Sequence, residues 1–144
     1  MEKSKGFTLI EMMIVVAIIA IIAAIAIPNL LRSRIQTNES SAIGNLRTVA
    51  GAEASYHCTA SRYAGDFDLL TDDTVGPPYL PGQWGVDAKS GYEFTLTGGG
   101  ANYGCNADPE LPNQSGVRQF YIDGSGVIRA EVGGAADETS APIS

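Results

Sequence analysis

Between Met12 and Ile27 every side chain is apolar, whereas from Asn38 to Ser144 polar, acidic and turn-forming residues dominate. Taken from Phe7 to Leu31, the apolar stretch is about 25 residues, or about 37 Å of helix at 1.5 Å per residue. A bilayer core of about 30 Å accommodates that length with some tilt. Pro28 follows the run and withholds the hydrogen bond due to Ala24, so a kink is expected there, with the helix continuing beyond it. Helical patterning resumes at Leu31, Ile35, Ala42, Leu46, Val49 and Tyr56, one apolar stripe on one face. Gly44 and Gly51 weaken this half by about 1 kcal/mol each relative to alanine but permit close approach. One helix is therefore predicted from about Thr8 to about Cys58.

Thr59 to Ala88 carries turn chemistry: Gly65-Asp66, Thr71-Asp72-Asp73, Gly76-Pro77-Pro78 and Pro81-Gly82. Phe67, Leu69, Leu70, Tyr79, Leu80 and Trp84 are the side chains expected to tuck beneath it. Strands are predicted at Tyr92–Thr97, Val117–Ile122 and Val127–Val132, the last two flanking the hairpin turn Asp123–Gly126. Gly98 to Gly116 reads as an intervening loop. Gly133 to Ser144 reads as a disordered or loosely attached tail.

The formal net charge is −7, with only 9 Lys+Arg, which speaks against sequence-independent nucleic-acid binding. The two cysteines, Cys58 and Cys105, lie in the polar part. In a translocated domain they read as one disulfide, closing a loop of about 48 residues and worth roughly 4 kcal/mol. A single histidine and no CxxC argue against zinc. Asp66, Asp68, Asp72 and Asp73 do not fit a D-x-D-x-D-G calcium loop and read as solvated. No hydrolase, metalloprotease, P-loop or dinucleotide motif is present, and Gly98-Gly99-Gly100 reads as a turn. His57 beside Cys58 lacks the free thiolate that a catalytic dyad needs. Neither an enzyme nor a cofactor site is expected.

The N-terminus admits three readings. Lys3, Lys5 and Ala24-Ile25-Ala26 suit a secretory signal peptide, the length suits a plain anchor, and a short leader cut ahead of the apolar run is the third. Glu11 weighs for the last, because a carboxylate in an apolar helix costs about 2.5–3.5 kcal/mol on insertion scales and is functional by default. Glu11 lies four residues after Phe7, a same-face spacing. A cut between Gly6 and Phe7 creates an ammonium, ordinary pKa about 7.7–8, as its partner. Lys3 and Lys5 favour a cytoplasmic N-terminus, a bias blunted by Arg32 and Arg34.

Gly6-Phe7-Thr8-Leu9-Ile10-Glu11 and the apolar run behind it resemble the prepilin signature of type IV pilins and type II secretion pseudopilins. The likeness is close over about Lys5 to Leu31 and loose beyond. It implies cleavage after Gly6 by a membrane-embedded prepilin peptidase, N-methylation of Phe7, and Glu11 as the residue that registers subunits. It also implies an α+β, pilin-like fold: a long N-terminal helix on a small antiparallel sheet. The expected layout is a leader over 1–6, a transmembrane and filament-core helix half over 7–31, an amphipathic half over 32–58, and loop, sheet and tail over 59–144. The implied partners are the lipid bilayer before assembly, the inner-membrane assembly machinery with its ATPase, and the chain itself as a helical homopolymer. The implied locations are the inner membrane and then an extracellular pilus or periplasmic pseudopilus. Major pilin, minor pilin and pseudopilin remain open at this level, and a monomeric membrane-anchored binding domain is the alternative outside the family.

Overall fold

The computed structural model describes residues 6–74 and 77–143. Lys3 and Lys5, on which the orientation argument rests, and Gly76 of the Gly76-Pro77-Pro78 turn lie outside them. Helix α1 spans Leu9–Ala60 and is assigned without a break through Pro28. At that point the Asn29 amide Nδ2 donates to the Ile25 carbonyl at 3.1 Å, beside the Ala24 carbonyl that proline cannot serve. The chain divides into two compact units, one ending at Arg34 and one spanning Ile35–Ser144.

In the first unit the side chains of α1 from Met12 to Ile27 are apolar and largely solvent-facing: Ile18 is 52% and Ile25 65% exposed. This half is long and apolar enough to cross a membrane. A shallow groove lined by Leu9, Met12, Met13, Val16, Ala17 and Ala20 runs along it.

In the second unit α1 turns amphipathic. Ala42, Leu46, Val49 and Ala52 are buried in the core, while Ser40, Thr48, Ser55 and Thr59 each donate a hydroxyl to the carbonyl four residues earlier. A five-stranded antiparallel meander follows, in the order β1 (Tyr92–Gly99), β2 (Asn102–Pro109), β3 (Arg118–Asp123), β4 (Arg129–Val132) and β5 (Ala141–Pro142). The inner face of β1 (Tyr92, Phe94, Leu96) faces the core together with Cys105, Ala107, Phe120 and Ile122. The α+β expectation therefore holds, with two more strands than the pattern predicts.

β2 is the larger surprise, because it occupies the segment read as a loop. Its composition, Asn-Tyr-Gly-Cys-Asn-Ala-Asp-Pro, is poor in strand formers. Its place between β1 and β3 supplies both hydrogen-bonding edges, and its small residues are demanded by what covers them. A Cβ on Gly104 would lie 2.8 Å from the Tyr121 hydroxyl, so glycine lets that ring lie across the strand. The tail also differs from expectation. β5 pairs with β4, Ile143 N–H donates to the Ile128 carbonyl at 3.0 Å, and Asn106 Nδ2 donates to the Ala136 carbonyl at 2.8 Å. Asp137 Oδ1 organises the turn by accepting from Thr139 N–H at 2.8 Å and Ser140 N–H at 3.1 Å.

Between helix and sheet, α2 (Phe67–Thr71) is capped by Asp66, which accepts from Leu69 N–H at 3.1 Å. Phe67, Leu70, Leu80 and Trp84 tuck beneath this connection, but Leu69 (41%) and Tyr79 (36%) stay exposed. The Trp84 indole, with Phe67 and Phe94 near it, donates to the Pro81 carbonyl at 3.1 Å.

Candidate functional site at the start of helix α1

Gly6 and Phe7 lie on non-helical backbone ahead of α1, and Phe7 is 81% exposed. A Cβ on Gly6 would touch nothing within 4 Å. No packing inside the subunit requires a glycine there. Thr8 begins the helix as its N-cap: its carbonyl accepts from Met12 N–H at 3.3 Å, the first intrahelical bond.

Thr8 and Glu11 form a reciprocal pair. Glu11 N–H donates to Thr8 Oγ1 at 3.3 Å, while Glu11 Oε2 accepts from Thr8 N–H at 2.8 Å and from the Thr8 hydroxyl at 2.6 Å. This is a capping box, and it satisfies helix-start donors that have no partner within the helix. The signal is present in the sequence, since Thr8-x-x-Glu11 before an apolar run is its signature, although the cost of an acid in an apolar helix overshadows it there. The structure thus gives Glu11 a local partner in the uncut chain. Phe7 precedes the helix, so, contrary to the expectation from their spacing, Phe7 and Glu11 do not share a helical face.

Cys58 and Cys105 are not joined. Cys58 is exposed on the last turn of α1, and Cys105 is fully buried on β2 with its thiol 3.8 Å from the Asn106 carbonyl. The expected bridge is absent because β2 turns Cys105 into the core while α1 turns Cys58 to solvent. Burial first, then Glu53 and Asp108, pushes the Cys105 thiol up to about 12, so it stays protonated. His57 stacks on Tyr63 with ring centres 4.4 Å apart. Among the described residues no group of three or more His, Cys, Asp or Glu is placed to hold a metal ion.

Two further acids were missed, and their signal lies in the stripe itself. Its two seven-residue gaps, Ile35 to Ala42 and Val49 to Tyr56, are filled at helical spacing by Glu39 and Glu53, both buried. Glu39 joins α1 to β3. It accepts from Val117 N–H and Arg118 N–H at 3.1 Å each and from Arg118 Nε at 3.0 Å, with Arg118 Nη2 at 2.9 Å.

Residues 1–27 match the family described as the prokaryotic N-terminal methylation motif. Over 62 residues the chain is 47% identical to the type IV major pilin protein PilA of Myxococcus xanthus, covering 43% of this chain and 28% of that one. Over 66 residues it is 41% identical to the type IV wide pilus major component PilA4 of Thermus thermophilus, covering 46% and 50%. It is also 32% identical over 63 residues to the type II secretion system core protein G of Klebsiella pneumoniae, covering 44% and 45%. The matched stretch spans half or less of the length of these relatives. No solved structure matches the chain. The resemblance carried by Gly6–Glu11 and the apolar run is borne out at this level, to type IV pilins and core protein G alike.

Proposed function

From a chain that carries the N-terminal methylation motif and has pilin and core protein G relatives, we propose a structural subunit of a type IV pilus-like filament. It is processed between Gly6 and Phe7, anchored by residues 7–31 and polymerised through α1. The observation that carries this reading is an acid at the start of a helix whose first half is otherwise almost wholly apolar and solvent-facing, four residues behind the accessible Phe7.

Hydrolysis of that bond leaves a carboxylate on Gly6 and an ammonium on Phe7, one residue ahead of Thr8. Glu11 Oε2 is engaged by Thr8, while Oε1 takes none of the hydrogen bonds within the described residues. The capping box therefore aims the carboxylate and leaves one oxygen for an ammonium, of the same chain or of a neighbour. Before the cut that nitrogen is an uncharged peptide group and offers no such partner. In a helix bundle an unpaired buried charge costs several kcal/mol, so the pairing penalises wrong registers. Repetition of one heterologous contact builds an open helix. The prepilin peptidase, the inner-membrane assembly machinery and passage from the inner membrane to a pilus belong to this proposal.

Mass analysis of the exported protein tests it. A chain beginning at methylated Phe7 supports the reading, and one beginning at Met1 or Ile27 overturns it in favour of a monomeric anchored or secreted domain. Because core protein G stands among the relatives, a pseudopilin or minor pilin is the second reading. Shearing cells separates them: a major pilin is the bulk of the recovered fibre.

A further inference from the structure

The two acids in the buried stripe of α1 have very different surroundings. Glu39 is met by backbone donors and a guanidinium, whereas Glu53 is 0% exposed and met by a single donor. Its Oε2 accepts from Ala64 N–H at 2.9 Å, and its Oε1 is buried with no partner. The charge of Glu53 acts on two β2 groups, raising the Tyr103 hydroxyl and the Cys105 thiol, neither of which donates to Oε1, and the Tyr63 ring centre lies 4.9 Å from that of Tyr103. Asp108 and Asp123 act on the same two β2 groups, and His57 lies one turn further along α1, stacked on Tyr63. Among the described residues the one ion pair is Arg118–Glu39, so no cation compensates Glu53. Burial pushes its carboxyl above the ordinary range, and the Ala64 N–H offsets this only in part.

The position matters because of what Ala64 belongs to. It sits in the turn after α1, where Ser61 takes a positive φ of 55°. Tyr63 and Gly100 exchange backbone hydrogen bonds of 2.9 and 3.1 Å across this turn. Gly65 packs so tightly on Gly99 that a Cβ added to Gly99 would lie 3.0 Å from the Gly65 Cα. The Glu53–Ala64 bond thus ties α1 to the turn, and the Tyr63–Gly100 pair ties the turn to the β1–β2 tip.

We propose that Glu53 is a proton-operated latch: as a neutral acid it fastens the Arg62–Gly65 turn and the β1–β2 tip to α1, and loss of its proton opens that turn to water. In the closed fold Oε1 has no hydrogen-bond partner in either form, and an ionised oxygen left unmet there costs far more than a neutral hydroxyl. Water is the donor at hand, and it reaches Oε1 when the turn lifts. The proton passes to solvent and nothing else is consumed. Because folding favours the protonated form, the stabilisation is complete below the ordinary carboxylate range and is lost as pH rises through the folded value of Glu53.

The test uses the full chain in detergent micelles, following the Glu53 carboxyl carbon by NMR and amide exchange from roughly pH 4 to pH 9. Glu53 is expected to titrate above the ordinary carboxylate range. Over the same interval, protection at Tyr63, Ala64 and Gly100, corrected for intrinsic exchange, falls about tenfold, while the Leu46 and Ile122 amides hold. Glu53→Gln keeps the turn protected throughout, and Glu39→Gln keeps the wild-type fall. Titration of Glu53 in the ordinary range, flat protection at Ala64 in the wild type, or an unchanged fall in Glu53→Gln overturns the latch. Should Glu53→Gln fail to fold, the wild-type titration and exchange still decide.

Discussion

At the level of single side chains, three acids on one helix have three different partners. Glu11 caps α1 with Thr8, so Thr8→Ala is expected to loosen the first turn by about 1 kcal/mol, read as faster amide exchange at Ile10 to Met13. Burial pushes Glu39 up, but the Arg118 and Val117 N–H donors and the guanidinium outweigh it and hold the carboxyl below its ordinary value. Its contribution is present above the unfolded carboxylate pKa and lost as pH falls through the folded value, hence below about pH 4.5. Glu39→Gln should cost about 1–2 kcal/mol near neutrality, discounted because Arg118 is 42% exposed, and should flatten the acid limb of thermal stability against pH. Cys58 should react with a maleimide in the native protein while Cys105 stays silent until unfolding. Two unreactive thiols would show a bridge instead.

Among the elements, α1 was legible from its apolar run and stripe, since helical periodicity is a local property that burial on one face enforces. β2 was not legible. A strand of Asn, Gly, Cys, Ala and Asp has no pattern of its own, and only β1 and β3 on its two sides make extended pairing favourable there. The tail failed for the same reason: Asp137 and Ser140 form a local turn, but β4 and Asn106 decide that it is held. On the outer face of α1, a Cβ on Gly44 or Gly51 meets nothing within 4 Å. Gly44→Ala and Gly51→Ala should each stabilise the unassembled subunit by about 0.5–1 kcal/mol in thermal unfolding. Should this face pack against neighbouring helices, the same substitutions lower fibre yield.

For the molecule as a whole, the division at Arg34 and Ile35 separates a membrane-compatible segment from a body with its own core. A chain beginning at Ile35 is expected to fold and stay in solution without detergent, whereas the intact protein requires it, as gel filtration and circular dichroism would show. Glu11→Ala should partition into membranes at least as well as the wild type, since it removes a charge from the span, yet yield no fibres. What the order of residues settled alone was local or additive: the length of the apolar span, the helix behind it, the hairpin turn at Asp123–Gly126 and the likeness to the N-terminal methylation motif. What tertiary structure settled was everything whose energy depends on a distant partner. A buried acid is read differently when β3 supplies a guanidinium, as for Glu39, than when a turn supplies a single amide, as for Glu53. Two cysteines likewise pair or stay apart according to which faces of helix and sheet carry them.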